Sequence, residues 1–152
     1  MKKFVFSLQA LFNYKQTVEK MQKAELKKAQ IALRELLNEE QRLLRAYADN
    51  ERSLEKALRN NNDVGTALSE HDAYFRFLRD ALKELRERIV KAEEVVLRCQ
   101  ERLIATMKEI KTYTRLRDDQ YLKYRKEVQA EEDKEIGDLV SFNVINEDIH
   151  PS

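Results

Sequence analysis

The chain has 152 residues, enough for one domain, and 38% of them are charged while the formal net charge is only +1. Two glycines and a single proline, Pro151, cannot supply the frequent turns of a β-sandwich or an α/β enzyme. The lone Cys99 excludes an internal disulfide framework. What is left is a chain of long, charged, amphipathic helices.

The opening Met1-Lys2-Lys3 and the apolar stretch after it have the outline of a signal peptide. That stretch is interrupted at Ser7 and Gln9 and ends at Asn13-Tyr14-Lys15 without a small-residue cleavage pattern. No window approaches the roughly 18 apolar residues of a membrane span. With one unpaired cysteine, the expected setting is soluble and cytoplasmic.

From Phe4 to Ala57, apolar residues recur at alternating steps of three and four, through Leu8, Leu11, Val18, Leu26, Leu33, Leu43 and Leu54. That period predicts a helix, and its persistence predicts a coiled-coil seam. Asn60-Asn61-Asn62-Asp63-Val64-Gly65-Thr66 is the one cluster of turn-forming residues inside the chain. It predicts a turn, with Thr66, or Ser69 with Asp72, capping the next helix. A second series runs through Phe75, Leu78, Leu82, Leu85, Ile89, Val96, Cys99, Leu103, Met107, Ile110, Thr114, Tyr121, Tyr124 and Val128.

Each series carries one doubled four-residue step, at Val18-Gln22-Leu26 and at Cys99-Leu103-Met107. Folding at Asp63 brings together residues whose numbers add to about 126, so that both irregularities fall at one level. The expected fold is all-α, a long two-helix antiparallel coiled-coil hairpin over residues 1–140. Helix 1 covers about 4–59, the turn about 60–66, and helix 2 about 67–137. Residues 141–152 are expected to be a flexible tail, because past Val128 no opposite helix is available.

No phosphate loop, CxxC pair or nucleophile with a base is present in the sequence, so no enzyme, no cofactor and no metal is expected. Glu147 and His150 have the E-x-x-H spacing of di-iron bundles, but a single pair beside Pro151 is read as coincidence. Cys99 reads as a small seam residue, and His71 as a helix-start residue extending the seam.

Charge is segregated. Residues 1–30 carry seven lysines against two glutamates, a balance of +5. Residues 131–150 carry seven acids against Lys134, a balance of −6. A docking end for a charged partner is one reading of that asymmetry. Nucleic acid is not expected, because no continuous basic stripe exists. Leu44, Tyr47, Phe77 and Ala81 come to about one level near the turn and are expected to leave an exposed apolar patch, the usual mark of a partner site.

Three segments resemble the flagellar export FliJ family. One is the opening Phe4-Val5-Phe6-Ser7-Leu8-Gln9-Ala10-Leu11. Another is Tyr74-Phe75-Arg76-Phe77-Leu78-Arg79-Asp80-Ala81-Leu82. The last is Arg125 followed by Glu132-Asp133-Lys134-Glu135-Ile136-Gly137-Asp138-Leu139. The sequence departs from that family at Asp133, where glutamine is usual, and at Gly137-Asp138, where Asp-Glu is usual.

The resemblance implies a non-enzymatic stalk and adaptor, similar to the rotor stalk of rotary ATPases. The hairpin end with both termini would enter the hexameric export ATPase ring through Phe4, Phe6, Leu8, Leu11, Lys15, Tyr121 and Tyr124. The patch of Leu44, Tyr47, Phe77 and Ala81 would meet the membrane export gate. Some members also escort export chaperones. The implied location is cytoplasmic, peripheral to the inner face of the membrane. A generic coiled-coil scaffold, a related injectisome stalk and a four-helix metal enzyme are the alternatives.

Overall fold

In the computed structural model, residues 2–60 and 63–149 are described. They form two helices, α1 over Gln9–Asn60 and α2 over Val64–Ile149. Both are built from Leu, Ala, Glu, Lys, Arg and Gln, the strong helix formers, with no proline inside either one. No strand occurs among the described residues.

α1 starts five residues later than the periodicity predicts. Phe4-Val5-Phe6-Ser7 is a run of aromatic, β-branched and hydroxyl residues with modest helix propensity. It has no regular secondary structure up to a turn at Ser7-Leu8. Gln9 N–H donates to the Phe6 carbonyl at 3.1 Å, and Phe12 N–H donates to the Leu8 carbonyl at 2.8 Å. The Phe6 and Phe12 rings meet edge to face with centroids 6.4 Å apart, bracketing the helix start as a hydrophobic staple does.

α2 starts earlier than expected, and neither Thr66 nor Ser69 is its cap. Asp63 is. Its carboxylate accepts from Thr66 N–H at 3.2 Å and from Thr66 Oγ1 at 2.6 Å. Ala67 N–H donates to the Asp63 carbonyl at 3.3 Å. Asp outranks Thr as a cap because its side-chain oxygen reaches the third amide while its own carbonyl opens the helix. Asn61 and Asn62, the middle of the expected turn, lie outside the described residues. At the other end α2 continues through 141–149, where the sequence reading places a tail.

Contacts divide the chain into two compact units, Met1–Glu19 with Ala105–Ser152, and Lys20–Ile104. In the second unit Leu78, Leu82, Leu85 and Ile89 of α2 are buried against the half-buried α1 row that includes Leu33, Leu36 and Leu43. Each such burial stabilises by about 1.5–3 kcal/mol. Glu40 pairs with Arg86 at 3.4 Å, and the Tyr47 ring lies 4.8 Å from that of Phe75. The buried Asn50 donates from Nδ2 to the His71 carbonyl at 3.1 Å. His71 Nδ1 lies 2.7 Å from the Ala67 carbonyl and Nε2 lies 3.3 Å from Ser53 Oγ.

In the first unit Phe6, Phe12 and Thr106 are buried. Gln120 Nε2 donates to Ser7 Oγ at 3.5 Å, and Lys15 pairs with Glu109 at 2.6 Å. In both units rising α1 numbers meet falling α2 numbers, at levels close to the sum of 126 set by a fold at Asp63. The fold is the all-α antiparallel two-helix hairpin that the sequence predicts.

The seam differs from the expected one at two places. Phe12 rather than Leu11 faces inward at the start of α1. On α2 the inward row after Leu103 is Thr106, Ile110, Tyr113 and Gln120, not Met107, Thr114 and Tyr121. The regular alternation of three and four therefore continues there, and the second doubled step does not exist. A seam is held in phase by all of its residues together. The greater hydrophobicity of Met107 over Thr106 cannot turn a long helix by a residue. Gln22, at the irregular step of α1, has its Oε1 buried without a partner among the described residues.

Candidate functional site

The non-helical segment before α1 brings several of the expected terminal residues together. Phe4 packs on Tyr121 with centroids 5.2 Å apart, edge to face, and on Tyr124 at 5.5 Å. The Tyr124 hydroxyl donates to the Lys2 carbonyl at 2.6 Å, which holds the segment along α2. Lys2, Lys3 and Lys123 line one charged hollow of about 900 Å³ with Glu127 and Glu131. Lys15 sits under the Glu109 carboxylate. Hydrogen bonding to that carboxylate holds the ammonium above its ordinary pKa, against the opposing effect of desolvation.

The seven residues named for this end are not equivalent. Phe6 is buried against Phe12 and acts by holding the start of α1. Phe4, Leu8, Lys15 and Tyr124 are half-buried. Leu11 and Tyr121 are exposed, together with Val5, Tyr14 and Leu122, which the sequence reading did not single out. Tyr14 lies one turn on from Leu11, so a second apolar row on α1, three residues apart, was the available signal.

The four residues expected to form a patch near the turn divide between two flanks. Phe77 is 63% exposed. It borders a groove of about 280 Å³ with Ala81, Leu43 and Glu39. Leu44 does not line that groove. It is five residues from Glu39, hence turned about 140° away from it at about 100° per residue. Tyr47 faces Phe75 across the seam. Agreement in level does not mean agreement in face. The side chain that does join Phe77 is Tyr74, its ring stacked at 6.3 Å, and the pair is held at a spacing of three on one helix. Nearby, Arg76 pairs with Asp72 at 2.9 Å.

Among the described residues no cluster of His, Cys, Asp or Glu could hold a metal ion. His150, half of the E-x-x-H pair, lies outside the described residues. Cys99 is half-buried on the seam. Among the described residues no helix is long and apolar enough to cross a membrane.

The fold is thus an all-α two-helix hairpin whose N-terminal segment is tethered by aromatic contacts. More particularly, residues 4–148 match the family model described as the flagellar FliJ protein, and the chain belongs to that family. It is thereby a flagellar export-related protein. No curated protein and no solved structure gives a match.

Proposed function

We propose that this protein is a non-enzymatic stalk and adaptor of the flagellar type III export apparatus. Its terminal end enters the export ATPase hexamer and promotes ring assembly or ATP turnover. The Phe77 flank meets the membrane export gate, and export chaperones are further partners. It works in the cytoplasm, at the inner face of the membrane.

The observation that carries this reading is the built end of the first unit. A segment with no helical hydrogen bonds is nevertheless fixed by Phe4 between Tyr121 and Tyr124 and by Tyr124 on Lys2. Ordering such a segment costs conformational entropy; it borders a charged hollow, and Leu11, Tyr14 and Tyr121 of the same unit are exposed. Exposed aromatic and aliphatic side chains held rigid lose little entropy on docking, which favours binding. The gate half of the reading rests on Phe77 and Tyr74 alone, since Leu44 turns to the other flank.

Adding the protein to purified export ATPase is expected to accelerate ATP hydrolysis. Leu11→Asp with Tyr121→Asp should remove that acceleration while leaving the helical content unchanged. Full acceleration by the doubly substituted protein would refute the assignment of the end.

A further inference from the structure

We propose that the outer face of α1 lies against an anionic lipid bilayer. This deepens the placement at the membrane proposed above and rests on it.

The face belongs to the Lys20–Ile104 unit. It is hidden in residue order and emerges once α1 is sorted by helix face. Glu19, Leu26, Leu33, Glu40, Tyr47 and Leu54 recur every seven residues and are all half-buried, one row of the seam. Positions one, two and five residues after such a row point away from the partner helix. Lys20, Lys27 and Arg34 fall one residue after it, and Lys28, Arg42 and Lys56 two after. Arg45, Arg52 and Arg59 fall five after, on the outermost row. All nine cations are exposed. Three acids share these positions, Glu35, Asp49 and Glu55, so the balance is +6. From Lys20 to Arg59 the face runs about 58 Å.

Arg42 is tied to Glu39 at 2.5 Å and Arg52 to Asp49 at 3.8 Å. Lys20, Lys27, Lys28, Arg34 and Arg45 form no ion pair among the described residues. Two apolar side chains stand among the cations, Ile31 on the outermost row, 48% exposed, and Met21, 60% exposed.

α2 does not share this sign. Its row Phe75, Leu82, Ile89 and Val96 places Asp80, Glu87, Glu94 and Glu101 outermost, all exposed. Two packed helices hold their outer rows roughly 20 Å apart, more than twice the Debye length of about 8 Å at physiological salt. The α1 field is therefore not cancelled by α2. The near-zero net charge divides by helix as well as by end.

The occupant follows from the shape of the charge. The cations stand on the convex side of one helix, and none of the outward positions holds an aromatic ring to stack on a base. A nucleic-acid groove winds away from such a line within one helical turn, about 34 Å. A bilayer surface stays in reach along all of it. Ile31 and Met21 can enter the headgroup boundary while lysine stems lie along it. Lys and Arg clustered on one helix face suit acidic lipids.

Sedimentation of the full chain with phosphatidylcholine vesicles, with and without about one-third phosphatidylglycerol, tests this at about 0.1 M salt. Binding is expected to the anionic vesicles and not to the neutral ones, and it should weaken roughly tenfold or more at about 1 M salt. Lys27→Glu with Arg45→Glu, and Lys83→Glu with Lys91→Glu on α2, each take the net charge from +1 to −3. Helicity should be unchanged in both, since all four side chains are exposed. The α1 pair should weaken binding by about twentyfold or more, at about fivefold per cation, and the α2 pair by less than about threefold. The chain has no tryptophan, so a single one reports its surroundings. Emission of Ile31→Trp should shift to the blue on anionic vesicles, while that of Leu97→Trp, on an outer row of α2, should not. Absence of binding to anionic vesicles would overturn the proposal. So would equal loss by the two charge pairs, a blue shift at 97 rather than 31, or tighter binding to a DNA duplex of about 30 base pairs than to the vesicles. Acceleration of the ATPase needs no lipid, so if it persisted beside such a result the stalk reading would stand and this one alone would fall.

Discussion

Replacing Leu85 with alanine separates the seam from the flank most directly. Leu85 is only 4% exposed, between Leu82 and Ile89 on the buried row of α2. The change removes three carbons, about 2.4 kcal/mol at about 0.8 kcal/mol each. A cavity term is added, kept small because only one partner helix lines the site and it can relax inward. A loss of about 2.5–3.5 kcal/mol follows, inside the range of buried leucine truncations. Phe77→Ala in the same unit is the control. Phe77 is 63% exposed, and its truncation forfeits the stacking on Tyr74, about 0.5–1 kcal/mol. Alanine returns about 0.5 kcal/mol in helix propensity, leaving a net change under about 0.5 kcal/mol. Urea unfolding followed by circular dichroism measures both, with ΔΔG read from the midpoint shift at constant slope. Binding to the purified export gate is the second readout, and there Phe77→Ala should be the weaker variant. Equal destabilisation by the two substitutions would refute the division between stiffening seam and docking flank.

Two further outcomes follow from the ends of α2. The Thr66 hydrogen bonds hold the Asp63 carboxyl below its usual range, so its capping contribution is complete above the unfolded pKa, about 3.9. It fades as pH falls through the lower folded value, because protonation removes the charged acceptor. Asp63→Ala should lower the thermal midpoint at neutral pH, while Asp63→Asn should keep most of the cap and lose the acid dependence; an unchanged midpoint for Asp63→Ala would contradict the capping geometry. A Cβ at Gly137 would meet nothing within 4 Å, and no glycine has positive φ. Gly137→Ala should therefore stabilise the end of α2 by about 0.5–1 kcal/mol, seen as slower amide exchange over residues 132–142.

Composition and period were enough to determine the fold. Scarce glycine and proline left no alternative to long helices, and one turn cluster forced the chain back at Asp63. The inward row from Leu26 to Leu103 is legible because apolar identity and helical phase agree at nearly every position. Where they conflict, at Leu11 against Phe12 and Met107 against Thr106, only the packed structure chose. Phase is a collective property of the seam, whereas hydrophobicity is local to a residue. The sequence offers Thr66 or Ser69 as the cap of α2; that Asp63 takes the role instead is decided only by where the backbone amides lie.

The terminal site was half legible. Tyr121, Tyr124 and Phe4 share a level in any hairpin folded at Asp63, but that Phe4 arrives on a non-helical segment bonded at Lys2 to Tyr124 is seen only in the structure. The apolar patch failed for a clearer reason. Level along a hairpin can be read from residue number alone, and that placed Leu44 with Phe77. Which flank a side chain occupies depends on the rotation of each helix about its own axis, and only the tertiary structure fixes that. It turned Leu44 away and brought Tyr74 in.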